Sequence, residues 1–305
     1  MNGLCTSLSR SCVAAGYMLP STMDVLEPMD VSESAKCVGA ENLRYKSSFP
    51  YRGIAVIAIF SKFRSKELEN ISYAKIDRKL LEKGFTDQQY GVVVWEDMEK
   101  EKFFQRLKLV SDDDELHEKC ESFALAIVTH GHKNGKLHAF DTCFRREDVY
   151  SQFKAENCRG LKNKLKLFIF HACRGDTWSE GVHLSGNRRH EVQRARLGDY
   201  IEKDNLILCS TTEDNVAFAP NKDGSPFIRC LHHVMKEEAG KQDGERQHML
   251  DLLTDVINYT TDFNVPYNKR IYVQQPVLMY SLDQFYHFNK KEVFPEELLQ
   301  KHQYL

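Results

Sequence analysis

The 305-residue chain has no long apolar run: its longest, "GIAVIAIF" from Gly53, is too short to cross a bilayer and reads as a buried strand. It has no surplus of either charge. Lys and Arg total 42 against 44 Asp and Glu, a formal −2, so neither nucleic acid nor a membrane surface is expected as a partner. The nine cysteines are an odd number without ladder spacing. The first residues also lack a charged, then apolar, then small secretory pattern, which together predicts reduced thiols and a cytoplasmic protein. What the chain does have is core material, with 42% hydrophobic and 28% charged residues, an ordinary globular balance.

Residues 1–48 are rich in Ser, Met and small residues without a sustained period, and are expected to be a flexible leader too short for an adaptor domain. Beyond them strands alternate with helices. Strand patterns fall on "GIAVIAIF", "YGVVVWED", "SFALAIVTHG" and "KLKLFIFHAC", separated by helical patterns in "KELENISYAKIDRKLLEKGF", "MEKEKFFQRLKLV" and "REDVYSQFKAE". Asn134-Gly135 predicts a hairpin turn within "HKNGKLHAFD". Residues 177–200 are polar and basic without an apolar stripe, the signature of an exposed loop. The pattern resumes with the strand "NLILCSTT", helices in "PFIRCLHHVMKEEAG" and "HMLDLLTDVINYTT", and a strand in "VQQPVLMYSL". This alternation predicts an α/β fold, a mainly parallel sheet with helices on both faces and a ligand cleft beyond the strands' carboxyl ends.

Two strand ends carry reactive side chains: His130 in "IVTHG" and Cys173 in "FHACRG". A thiol becomes a useful nucleophile at neutral pH beside a base, and an imidazole on an adjacent strand end supplies one. Taken alone, a cysteine in such a place is more often a small buried apolar residue. His130, His132 and His138 lack a matching carboxylate or thiolate set at zinc-site spacing, so no metal and no cofactor is expected. The "RGD" at 174–176 is a three-residue coincidence.

The combination resembles the caspase family. The stretch around Cys173 is similar to that family's Gln-Ala-Cys-Arg-Gly signature, whose histidine lies about 50 residues upstream. Here the separation is 43 residues. "THG" is similar to the family's Ser-His-Gly, "NKDGSPFIRCL" to the start of its small subunit's first helix, and "NKRIYVQQPVLMYSLDQFYHF" to its C-terminal strand region, all in order across residues 49–288. The resemblance implies a caspase-like fold with a mainly parallel six-stranded sheet. It divides the chain into a leader (1–48), a large-subunit-like region (49–176), an inter-subunit linker (177–200), a small-subunit-like region (201–288) and a C-terminal extension (289–305). It further implies Cys173 as nucleophile, His130 as its proton-transfer partner, and the backbone N–H groups of Gly131 and Cys173 as oxyanion donors. The activity implied is cleavage of protein substrates after aspartate.

The departures from the family pattern concern the substrate pocket. The family's pocket glutamine falls at His171, and its second arginine falls at Ala219. The first arginine belongs to an Arg-x-Gly-Thr-Asp turn with no counterpart here, where only Arg64 or Lys66 is in place to substitute. Val216 and Phe218 stand at the aromatic positions of the neighbouring subsite, and Pro226 replaces a tryptophan. Bidentate guanidinium groups are what offset the desolvation of a buried carboxylate, so their loss predicts weakened or altered aspartate specificity. Residues 177–198 contain no aspartate, which removes the usual linker cut from that stretch. Two readings follow: an endopeptidase of apoptotic type with changed specificity, or an impaired homologue that heterodimerises with an active caspase and regulates it. The resemblance places the dimer contact, homotypic or heterotypic, on the C-terminal strand.

Overall fold

The computed structural model describes residues 44–175, 177, 202–217, 223–263, 265–267 and 270–303. The leader up to residue 43, most of the linker, and Phe218 and Ala219 lie outside them. In chain order come β1 (Ile54–Ile59), α1 (Ala74–Asp87), β2 (Gly91–Glu96), α2 (Lys100–Ser111), α3 (Asp114–Glu118) and β3 (Ser122–Val128). A small sheet follows, β4 (Gly131–His132), β5 (Lys136–His138) and β6 (Cys143–Arg145), then α4 (Arg146–Tyr150), β7 (Leu165–His171) and β8 (Asn205–Cys209). The last part supplies α5 (Pro226–Ala239), α6 (Met249–Thr261), the pair β9 (Val265–Tyr267) and β10 (Arg270–Tyr272), β11 (Val277–Tyr280) and α7 (Gln300–Gln303).

Six strands form one sheet in the order β11-β8-β7-β3-β1-β2, parallel throughout except for antiparallel β11. The strands read as unbroken apolar runs because both faces are covered, and alternate side chains enter different cores. Ile54, Val56 and Ala58 of β1, with Phe168 and Phe170 of β7, join Phe103, Leu107 and Val110 of α2 on one face. Ala55, Ile57 and Ile59, with Leu167 and Ile169, join Leu81 and Phe85 of α1, Leu231 of α5 and Val256 of α6 on the other. Ser225 caps α5 by accepting from the Ile228 N–H, and Pro226 occupies its first turn, where no N–H is needed.

Two local differences from the sequence reading have clear causes. The first helix begins at Ala74, eight residues later than the pattern "KELENISYAKIDRKLLEKGF" predicts. Residues 66–70 are mostly exposed and have no apolar stripe to bury, while the Ile71 N–H bonds the Ser61 carbonyl, tying this stretch to the end of β1 as a loop. The C-terminal strand is also shorter than "VQQPVLMYSL", because Pro276 has no N–H to offer a ladder and Gln274 turns inward to donate to the Ser210 carbonyl. The Asn134-Gly135 turn forms as expected, with both residues at positive φ.

Residues 289–303 close the β2 side of the sheet. Phe294 packs on Gly91, where a Cβ would come within 2.4 Å of its ring, and Trp95 Nε1 donates to the His302 carbonyl at 2.9 Å. Nearby, at the strands' amino ends, Arg52 and Lys291 both pair with buried Glu121, and Tyr286 donates to the same carboxylate at 2.8 Å. Removing the anion leaves two cations without compensation. Glu121→Gln is therefore expected to cost about 3–5 kcal/mol of stability, read as a lowered urea midpoint at unchanged slope. A loss below about 1 kcal/mol would show that the network is not needed.

Candidate active site

Parallel pairing of β3 with β7 aligns Val128 with His171. His130 and Cys173 each lie two residues past that pair, so neighbouring strands deliver imidazole and thiol at the same level of the sheet's carboxyl edge. Both are partly exposed. His130 Nε2 lies 2.7 Å from the Glu69 carbonyl, and its ring stands 4.9 Å from that of Phe63. A carbonyl only accepts, so Nε2 carries the proton there and Nδ1 is the basic nitrogen of the neutral ring. Cys173 Sγ lies 3.9 Å from the Ala217 carbonyl. An imidazole and a thiol brought to neighbouring strand ends are the residue types that proton transfer and nucleophilic attack require.

The loop carrying Cys173 is held from two sides. A Cβ on Gly131 would lie 2.2 Å from the Cys173 carbonyl oxygen, so glycine is required here by the chain's own nucleophile loop. Arg174, nearly buried, pairs with Glu213 and reaches the Thr211 carbonyl, while its N–H bonds the Asn215 carbonyl at 2.9 Å. The arginine of the supposed "RGD" is thus an internal tie between the ends of β7 and β8.

The expected pocket residues fall into different environments. Arg64 is exposed, pairs with Glu99 and covers the Phe140 ring. Lys66 is exposed on the loop before α1. His171 is 2% exposed, stacked on Phe227 with ring centroids 5.8 Å apart and edged by Tyr73. Burial pushes its imidazole down to about 4, leaving it neutral at pH 7. Val216 packs against Tyr272, and Pro226 starts α5.

The structure adds a residue that no sequence signal marked. Asp77, wholly buried on α1, accepts from the Ser225 N–H at 2.7 Å, and its Oδ2 stands 3.9 Å from His171 Nε2. His138 lies 4.9 Å, ring to ring, from His132, but among the described residues no group of three or more His, Cys, Asp or Glu side chains is arranged to hold a metal ion. No described helix is long and apolar enough to cross a membrane.

The sheet is a mainly parallel α/β framework that carries a thiol and an imidazole at adjoining strand ends. The caspase-domain family model matches residues 52–286, and the chain belongs to the caspase family. It is 26% identical over 274 residues to Caspase-3 of Xenopus laevis, covering 89% of this chain and 92% of that one. It is likewise 26% identical over 256 residues to Caspase-1 of Spodoptera frugiperda, covering 81% and 82% respectively. The crystal structure of Caspase-1 from Spodoptera frugiperda matches with a TM-score of 0.72 at 25% identity, over 85% of this chain and 98% of that one. Caspases act on protein substrates and form dimers, and the six-stranded, mainly parallel sheet expected from the resemblance is the one observed.

The buried imidazoles set an acid limit on stability. His117 and His171 are both pushed down to about 4 by burial, whereas an unfolded imidazole titrates near 6.5. Between those values the unfolded chain binds protons that the native state refuses, so stability is complete above pH 6.5 and is lost as pH falls toward 4. Asp77 acts in the opposite sense: burial raises it to about 6, so the native state takes up its proton first and gains stability as pH falls from 6 to 4. Two imidazoles outweigh one carboxyl. A net loss on the order of 2–4 kcal/mol between pH 6.5 and 4 is expected from thermal melts, and a flat profile would show that both rings protonate in place.

Proposed function

We propose that the chain is a caspase-type cysteine endopeptidase whose preference for aspartate at the cleavage position is weakened or altered. The equal offset of His130 and Cys173 from the Val128–His171 pair carries this reading. Cys173 attacks the scissile carbonyl, and His130 takes the thiol proton and passes it to the leaving amine. The backbone N–H groups of Gly131 and Cys173 meet the developing oxyanion, a contribution of about 2.7–4 kcal/mol per donor in comparable enzymes. His171 is neutral, so it supplies no positive charge to a bound carboxylate. Arg64 is already paired with Glu99.

A second reading, a regulatory homologue that heterodimerises with an active caspase, is favoured by β11. This strand lies at the sheet's edge, half-exposed, with Tyr280 more than half open to solvent. An uncovered strand edge invites pairing, and a second caspase-fold chain, identical or not, fits it by symmetry. A linker cut would have to fall at Asp176 or Asp199, which bracket the aspartate-free stretch.

Intact-mass labelling of the full chain with peptide electrophiles separates the two. The enzyme reading expects an adduct on Cys173, lost in Cys173→Ala and slowed at least a hundredfold in His130→Ala. No adduct, alone or with an active caspase added, together with a stable complex in sedimentation, would transfer the conclusion to the regulator.

A further inference from the structure

The loop after β1 sets an aromatic side chain against the proposed proton acceptor. Phe63 is half-buried, packs against both cores, and holds its ring 4.9 Å from that of His130, tilted by 39°. Its backbone neighbours are tied on either side. The Lys62 N–H bonds the Asp97 carboxylate at 2.9 Å, and the Arg64 N–H bonds the Phe140 carbonyl at 2.7 Å, so the loop cannot slide without losing one or the other.

His130 is held from three directions. Its carbonyl accepts from the His138 N–H at 3.0 Å, its Nε2 meets the Glu69 carbonyl at 2.7 Å, and its ring leans on Phe63. An imidazole that has taken a second proton is a cation, and a cation within about 6 Å of an aromatic centroid is attracted by the negative ring face. An aliphatic side chain of similar bulk fills the space without that attraction. The Glu69 carbonyl also favours the charged ring, but only Phe63 can be removed by substitution.

The titratable groups around His130 are His138 on β5, His132 on β4 and Cys173 past β7. His138 stands edge-on to Phe63 with centroids 6.2 Å apart. Burial, with His132 and His130 as smaller causes, pushes it down to about 4, so it stays neutral near pH 7 and does not oppose a charge on His130. His132 is exposed, where solvent and salt screen whatever charge it carries.

We propose that Phe63 is a positioning residue for the reaction: its ring keeps the His130 imidazole oriented at the strand end next to that of Cys173 and favours the imidazolium formed when the thiol gives up its proton. The inference rests on His130 and Cys173 acting as the proposed pair, and it deepens that reading. The step moves one proton from Cys173 Sγ to the basic nitrogen of His130, leaving a thiolate and an imidazolium.

Alkylation of Cys173 by iodoacetamide, which needs no substrate pocket, tests this on the full chain. The rate is followed from pH 6 to 9.5 on the digest peptide that carries Cys173, in the native protein, Phe63→Leu, Phe63→Tyr and His130→Ala. At pH 6.5 an unassisted thiol, near 8.5, is almost wholly protonated. There the native rate is expected to exceed that of Phe63→Leu at least threefold, and Phe63→Tyr to recover most of the loss. At pH 9.5 the thiol ionises without help, and the native and Phe63→Leu rates should converge. A change in packing alone would lower the rate by the same factor at every pH. Phe63→Leu should also change nothing once His130→Ala is in place. A ratio of one at pH 6.5, a ratio that does not vary with pH, or a loss that persists without His130 overturns the inference. Should Phe63→Leu fail to fold, pentafluorophenylalanine at position 63 keeps the shape and reverses the charge of the ring face, and a native rate at pH 6.5 with that ring overturns the inference equally. Equal rates in the native protein and His130→Ala at pH 6.5 overturn the proposed pair, and this inference with it.

Discussion

The register between β3 and β7 is the constraint on which the rest depends. Pairing Val128 with His171 fixes which residues emerge side by side at the carboxyl edge, and both strands are buried on both faces. A slip of one residue would send Leu125 and Ile127 into the core now filled by Ala124, Ala126 and Val128, and would move Cys173 out of step with His130. The candidate pair, His130 and Cys173, needs no dedicated scaffold. Its placement is secured by the same alternation of side chains that builds the two cores, which is why a site on loops can be positioned as firmly as the sheet itself.

Much of this was legible in the sequence, and the reason is local. Strands covered on both faces are apolar without interruption, and the Asn134-Gly135 turn needs only two residues able to adopt positive φ. Cys173 and His130 announce themselves by type and by place at strand ends. What was not legible depends on contacts between distant segments. The start of α1 is decided by the Ile71 to Ser61 bond, and the orientation of His130 by a backbone carbonyl at Glu69, which any residue would provide. Asp77 sits among the polar residues of an amphipathic helix and looks like one more solvated acid until α5 and β7 close over it. The residues nearest the expected aspartate pocket, Phe218 and Ala219, lie outside the described residues, so the sequence remains the ground for what is inferred about them.

Two of the buried carboxylates, Glu121 and Asp77, stand at opposite ends of the sheet in opposite surroundings. Glu121, at the strands' amino ends, has a cation on each oxygen and a tyrosine hydroxyl besides, so its charge is compensated and its geometry is fixed. Asp77, at the carboxyl ends, has the backbone N–H and side chain of Ser225, one oxygen without a hydrogen bond and a neutral ring for company. Burial costs both, but only the first is compensated in full within the fold. A satisfied network holds one end of the sheet rigid, while at the other end a buried carboxylate keeps one oxygen without a hydrogen bond. That asymmetry follows the general rule that open α/β sheets bind at their carboxyl edge.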